Sequence, residues 1–186
     1  AAVGIVEKII SFLFLVPSSM LSTVSALGAQ NIGAGKPERA RLTLRYAAFV
    51  AICFGTCMVI LMQFAAEPVV SLFTDSAQSD GAEVIRLGGQ YMRGYVWDCI
   101  FAGVHFSFSG YFCACGRSGL SFLHNISAIL LVRVPGVYLT SLYFPDTLFP
   151  MGLATSMGSL LSVIICVIAY TVILSGKKSS FSGNHV

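Results

Sequence analysis

Charged residues are scarce in this chain. Asp, Glu, Lys and Arg together make up 10% of the 186 residues, whereas apolar residues make up 56%. Because soluble domains carry about 25% charged residues, this composition argues against a soluble fold. The formal net charge is only +3 and the basic residues are dispersed along the chain. We therefore expect no nucleic-acid partner.

The sequence also has little that would hold a metal ion. Its six cysteines, at positions 53, 57, 99, 113, 115 and 166, all lie in apolar runs. Cys53 and Cys57 share a helix face because they are four residues apart. No histidine or carboxylate stands at ligand spacing beside them. We therefore expect buried free thiols that pack as small apolar side chains, with neither a structural metal nor an organic cofactor.

Long uncharged runs are what the chain has instead. Residues 9–35, 46–66 and 147–176 contain no charged residue, and 94–116 and 118–144 contain one each. A helix needs about 20 residues to cross the hydrocarbon of a bilayer, and backbone groups in lipid must be satisfied within the segment. The sequence predicts an all-α integral membrane protein, a bundle of five transmembrane helices. The expected spans are residues 5–33, 40–66, 84–116, 119–144 and 148–175.

The basic residues predict the orientation of these spans. If the spans alternate, the basic loops and the polar tail at 177–186 fall on one side, which the positive-inside rule makes cytoplasmic. We therefore expect a multi-pass protein of the cell (inner) membrane with a cytoplasmic C-terminus. No cleavable signal peptide is recognisable, so an external N-terminus predicts a further helix upstream. The basic residues in question are Lys36, Arg39, Arg41, Arg45, Arg117, Lys177 and Lys178.

Two charged residues fall inside the predicted spans. An ionised side chain at membrane depth costs at least ~2.5–3.5 kcal/mol and normally faces protein or a water-filled cavity. Counted from the turn at Arg117, Asp98 lies 19 residues back and Arg133 16 residues forward. The difference corresponds to ~4.5 Å of helix, so the two side chains are able to meet. They form either a structural ion pair or part of a cation site, and the two roles overlap.

The residues that share a helix face with Asp98 are polar and aromatic. Tyr91, Tyr95 and His105 lie at the spacing of one face. Such a face suits a wet cavity that binds organic cations by charge attraction and cation–π contacts. A packing role for His105, and an interfacial role for Tyr95, remain alternatives. The candidate cation and substrate residues are Asp98, Tyr91, Tyr95, His105 and Arg133.

Several segments resemble the multidrug and toxic compound extrusion (MATE) family. They are Pro17-Ser-Ser with Gly28-Ala-Gln-Asn-Ile-Gly-Ala-Gly-Lys-Pro-Glu-Arg-Ala40, Tyr91-Met-Arg-Gly-Tyr-Val-Trp-Asp98 with Ser109-Gly-Tyr-Phe and Gly116-Arg117, and Arg133-Val-Pro135. They occur in the family's order over residues 1–176. The resemblance implies helices eight to twelve of a twelve-helix, two-lobe transporter that rocks between orientations.

The same resemblance implies a function. MATE transporters export cationic drugs in exchange for sodium ions or protons, and Asp98 matches the acidic position of their tenth helix. The expected partners are the lipid bilayer, organic cation substrates and the missing N-terminal lobe of the same transporter. The coupling ion would be Na⁺ or H⁺, with Asp98 as the one possible Na⁺ ligand.

Three other functions remain open at this point. A lipid-linked saccharide flippase of the same superfamily would need a larger basic cavity than the single buried Arg133 suggests. A membrane enzyme would need Asp98, His105 and His124 to converge. We do not expect this, because His124 lies near the cytoplasmic end and His105 deeper. A non-catalytic membrane assembly fragment is the third alternative, because half a transporter has no second wall for its cavity.

Overall fold

All regular secondary structure in the described part of the chain is helical. A computed structural model describes residues 2–74 and 80–182, and the side chains as far as residue 173. The predicted tail at 177–186 therefore lies outside the described side chains. Within the described ranges the helices are α1 (Ala2–Leu13), α2 (Leu15–Gly33), α3 (Pro37–Ser71), α4 (Gly81–Tyr95), α5 (Asp98–Ala114), α6 (Ser118–Ala128), a π-helical turn (Ile129–Arg133), α7 (Val134–Tyr143) and α8 (Phe149–Ser182).

Three described helical segments are long and apolar enough to cross a membrane. They are α3, the continuous unit Ser118–Tyr143 that joins α6 to α7, and Phe149–Ile173 of α8. A fourth is present if α1 and α2 are counted as one bent span. The fold is thus that of an all-α membrane protein. The run predicted as a span at 84–116 is instead divided between α4 and α5 by Val96 and Trp97.

The bend between α1 and α2 is caused by proline. The two helices meet at Phe14 with an angle of 42°. Pro17 has no backbone N–H, so it cannot donate to the carbonyl of Leu13, and its ring crowds the same turn. The amides on either side, those of Phe14 and Ser18, keep their helical hydrogen bonds at 2.9 Å. The break is therefore local, and it turns Phe14 toward the centre of the bundle.

Two helix ends use the same glycine cap. Gly35 after α2 and Gly116 after α5 both have φ of +71°, a left-handed conformation that glycine adopts without strain. The following amides, of Lys36 and Arg117, donate back to carbonyls five residues earlier, each at 2.8 Å. This is the Schellman pattern. Both turns therefore end their helices sharply and return the chain into the bundle.

The helix α5 lies at the centre of the bundle, in contact with α2, α3, α6 and α8. Small residues bring its neighbours close. A Cβ at Gly103 would lie 2.7 Å from that of Ala51 on α3, and one at Gly110 would lie 2.5 Å from the carbonyl oxygen of Leu21 on α2. The packed core divides into two clusters, one around Val6, Met62 and Met92, the other around Val24, Leu44 and Phe112.

Candidate functional site

A polar cavity of about 310 Å³ lies beside α5, at the level between the two core clusters. Its walls come from α5, α6, the π-helical turn and α8, with contributions from the break at Phe14 and the end of α4. The cavity thus forms where three of the helices are interrupted. The residues that line it are Phe14, Tyr95, Asp98, Ala102, His105, Phe106, Asn125, Ala128, Ile129, Arg133, Gly158, Ser159 and Ser162.

Asp98 and Arg133 form an ion pair in this cavity. Nη2 of Arg133 donates to Oδ2 of Asp98 at 3.1 Å, so the meeting predicted from residue counting occurs. The Asp98 side chain is 1% exposed, whereas that of Arg133 is 36% exposed. The other carboxylate oxygen, Oδ1, is buried and has no hydrogen-bond partner among the described residues. A buried ionised oxygen without a donor is costly, so Oδ1 is an unsatisfied acceptor that a cation or a hydrogen-bond donor would stabilise.

Two features of the chain hold Arg133 in position. The residues 129–133 form a π-helical turn, and Pro135, which lacks an amide donor, follows at once. On the facing helix α8, a Cβ at Gly158 would lie 3.2 Å from Cβ of Arg133. Ser159 accepts a second hydrogen bond from Nη2 of Arg133 at 3.2 Å. The guanidinium is thus directed by α8 as well as by Asp98.

Close contact between α4 and α8 closes the end of the site at Tyr95. Gly94 and Gly152 each lie against the other helix's backbone, so that a Cβ at either position would overlap a carbonyl oxygen. Oγ of Ser156 donates toward the carbonyl oxygens of Gly94 and Tyr95, at 3.1 and 3.2 Å. These carbonyls lie at the end of α4, where the helical hydrogen bonding stops. Ser156 therefore stabilises the interruption that places Asp98 at the start of α5.

Fewer of the predicted aromatic residues line the cavity than the sequence pattern indicates. Tyr95 lines the cavity, and its ring is 6.0 Å from that of Phe14 in an edge-to-face arrangement. Tyr91 does not line it. Its side chain is buried in the core cluster around Met92, with its ring 5.6 Å from that of Tyr95. Tyr91 is thus placed behind Tyr95, and binding by Tyr91 would require a different arrangement of the helices.

The expectation that His105 and His124 lie too far apart to converge is wrong. Their ring centroids are 5.5 Å apart in an edge-to-face arrangement. His105 lines the cavity, and His124 lies behind it against α8. The predicted difference in depth between the two histidines was too large, because part of the turn between α5 and α6 belongs to neither helix. His105 lies nine residues before the end of α5 and His124 six after the start of α6, a difference of only ~4.5 Å.

Some lining residues were missed by the sequence analysis. Ser159 and Ser162 belong to a small-residue face of α8, and their spacing from Ser156 places them on the side of Arg133. Asn125 and Phe14 carry no such signal, because their positions depend on the helix interruptions. The described residues contain no group of three or more His, Cys, Asp or Glu side chains that could hold a metal ion.

Comparison with known proteins agrees with this architecture. The family model MatE matches residues 1–139, about three quarters of the chain. The chain belongs to the MatE family. A curated relative of this MatE chain is a protein named "FAD transporter" from Shewanella oneidensis strain MR-1, with 29% identity over 168 residues. The matched region covers 89% of this chain and 35% of the relative, so the chain spans about a third of that protein's length. No solved structure matches.

Family membership indicates the broad class of protein to which the chain belongs. Proteins of this family are membrane transporters rather than enzymes. The ion pair and the cavity are therefore features of a multi-pass membrane protein of this family. His105 and Asp98 line the same cavity, and His124 packs behind His105.

Proposed function

We propose that this chain is the C-terminal part of a cation-coupled multidrug efflux antiporter that works by alternating access. The observation that carries the proposal is the state of Asp98. This carboxylate lines a cavity, is almost fully buried, and has one oxygen without a hydrogen-bond partner in the described ranges. Such an acceptor attracts a cation whose own hydration shell has been removed.

Competition for Asp98 couples the export of the organic cation to the entry of the sodium ion or proton. A sodium ion or a proton at Oδ1 neutralises the carboxylate, and an organic cation then loses its counter-charge and leaves. Arg133 opposes any second positive charge in the cavity, so only one cation occupies the carboxylate at a time. Coupling further requires that each ligand bind the inward and outward orientations with different affinity. Tyr95 and Phe14 offer aromatic contacts to the organic cation but little to the small one.

The test uses the complete gene product in drug-sensitive bacteria. Asp98→Asn keeps the size of the side chain and removes its charge, and we expect it to abolish drug resistance at unchanged protein levels. The matched control is Glu83→Gln, which removes an exposed carboxylate paired with Arg86 outside the cavity. Resistance in the Asp98→Asn strain equal to that of the control would disprove the proposal.

A flavin nucleotide is the second candidate substrate. The relative named FAD transporter supports it, and so does the partly exposed guanidinium of Arg133, because arginine binds phosphate oxygens well. Efflux of FAD and of an organic cation dye is measured side by side in proteoliposomes. Arg133→Lys, which loses the two-pronged donor geometry, should reduce FAD efflux more than dye efflux if the flavin is the substrate.

A further inference from the structure

Two histidines form a buried pair next to the ion pair. His105 on α5 is 4% exposed and His124 on α6 is 1% exposed. Their rings lie 5.5 Å apart, and His105 borders the cavity that contains Asp98. His105 therefore borders the space in which a transported cation would be held, and His124 packs behind it.

The hydrogen bonds of this pair are incomplete. Nε2 of His124 and Oγ of Ser109 share a hydrogen bond at 2.7 Å. The Nδ1 atoms of both His105 and His124 are buried and have no partner among the described residues. Buried polar atoms are almost always hydrogen-bonded, and each exception requires an explanation. Each of the two Nδ1 atoms on these neighbouring imidazoles is therefore available to bind a proton or to form a hydrogen bond.

Few other ionisable groups surround the histidines. Arg133 faces them from the π-helical turn, and Asp98 lies two turns away on α5. The helix α2 has no charged residue, and α8 has none before Lys177. From α8, the buried thiol of Cys166 belongs to the core cluster around Phe112. The charged residues of α3 lie toward its two ends: Glu38, Arg39, Arg41, Arg45 and Glu67.

We propose that His105 and His124 together form a binding site for one coupling proton, separate from Asp98. This inference rests on the proposed antiporter function and selects H⁺ over Na⁺ as the coupling ion. The proton adds to the lone pair of an imidazole nitrogen and gives one imidazolium of charge +1. Its departure to water restores the neutral ring, and no electron is transferred.

The site holds one proton because of its geometry. Two imidazolium rings at this separation, in surroundings of low dielectric constant and beside Arg133, would repel one another strongly.

Burial makes the affinity of this site for the proton depend on the orientation of the transporter. Both rings are almost fully buried in the arrangement described here, and a buried charge is disfavoured, so this orientation releases the proton. An orientation in which water reaches the imidazole of His105 through the cavity binds the proton. Different affinity in two orientations is what coupling requires.

Proton binding is tested directly on the complete gene product in detergent. The histidines are labelled with ¹⁵N, and the imidazole signals are followed from about pH 8 to about pH 5, which spans the ordinary titration of histidine. The signals of His105 and His124, assigned with single variants, should change together with the uptake of one proton. They should still do so in Asp98→Asn. Two independent titrations, or none, would overturn the proposal.

Transport provides the second readout. His105→Gln and His124→Gln cannot bind a proton, and the amide introduced by His124→Gln keeps a polar group within reach of Ser109. In proteoliposomes, each should lower pH-gradient-driven efflux by about tenfold or more, within the range typical of coupling between ligands. Substrate binding should be retained in His124→Gln, because His124 does not line the cavity. Ser107→Ala is the control, because this buried serine on the same helix bonds only to the carbonyl of Gly103. Melting temperatures show that the variants are folded.

The outcomes separate this inference from the proposed function. Efflux driven by a sodium gradient and unaffected by pH would overturn the proton site and leave the antiporter intact. Full pH-driven efflux in both histidine variants would do the same. The absence of drug transport under any gradient would overturn the antiporter itself and, with it, the coupling role of the two histidines.

Discussion

Asp98 and Arg133 are joined by a hydrogen bond of 3.1 Å, although 35 residues separate them in the chain. The contact connects the start of α5 to the π-helical turn after α6 and satisfies only one of the two carboxylate oxygens. The pair therefore both fastens two helices together and leaves an acceptor for a ligand. The pairing with Arg133 explains how a carboxylate is tolerated inside a predicted membrane span.

Removal of Arg133 from this pair should be strongly destabilising, because Asp98 is the more deeply buried partner. Arg133→Leu leaves Asp98 buried without a counter-charge, and we expect a loss of about 3–5 kcal/mol. The double variant Asp98→Asn with Arg133→Leu should recover part of that loss, because no unpaired charge remains. Thermal unfolding in detergent measures both. Arg86→Leu is the control, since its pair with Glu83 is exposed to solvent and contributes little to stability. Equal losses in the two single variants would contradict the prediction.

The contact between α4 and α8 should not accept a methyl group. Gly94→Ala places a Cβ against the carbonyl of Phe149 and 2.9 Å from the amide of Leu153, so α8 must move and a loss of about 1–3 kcal/mol is expected. Gly4→Ala is the matched control. No atom lies within 4 Å of its added Cβ, and in a helix the change should gain about 0.5–1 kcal/mol. Similar melting temperatures for the two variants would show that the helices do not approach this closely.

Ser156 should matter more than its size suggests. Ser156→Ala removes the donor to the carbonyls of Gly94 and Tyr95 at the end of α4, with an expected cost of about 1–3 kcal/mol. Ser141→Ala serves as the comparison, because this exposed serine bonds only to a carbonyl of its own helix. Drug efflux should also decrease in Ser156→Ala, since Asp98 begins the next helix. An unchanged melting temperature would show that the interruption does not depend on this hydroxyl.

The orientation of the chain can be tested with reporter fusions. The charge distribution predicts a cytoplasmic C-terminus and an external loop between α7 and α8. In the complete gene product, green fluorescent protein fused after the last residue should fluoresce, and alkaline phosphatase fused after Asp146 should be active. The opposite pattern in the two fusions would invert the orientation and place Lys36 and Arg117 outside.

The sequence predicts this fold well where the helices are continuous and poorly where they are interrupted. The helical membrane class follows from uncharged runs, and the Asp98–Arg133 contact follows from a count along two helices. The breaks at Phe14 and at Val96–Trp97 do not follow. Pro17 indicates that a bend occurs but not which side chain it directs inward. The break before Asp98 is stabilised by Ser156, about sixty residues away in the chain, and no local pattern indicates it.

The candidate site was predictable to a similar extent. Helix periodicity identified Tyr95, Asp98 and His105, which line the cavity, but it also placed Tyr91 on the same face, although Tyr91 packs into the core. Periodicity extrapolates an unbroken helix, whereas α4 and α5 are separate helices divided at Val96 and Trp97, and Tyr91 does not line the cavity. His124 was underrated because its distance from His105 depends on where α5 ends, which the cap at Gly116 decides.

The π-helical turn that ends at Arg133 makes this helix tolerant of a change in chain length. A turn of this kind contains one residue more than an ordinary helical turn, so it can be lost by a single deletion. Deleting one residue from 129–133 would restore ordinary α-helix and leave α6 and α7 facing nearly as before. The same deletion within α6 or α7 would instead rotate one part of the helix by about 100° relative to the other. The turn is therefore where a codon would be lost with the least effect on the direction of the guanidinium.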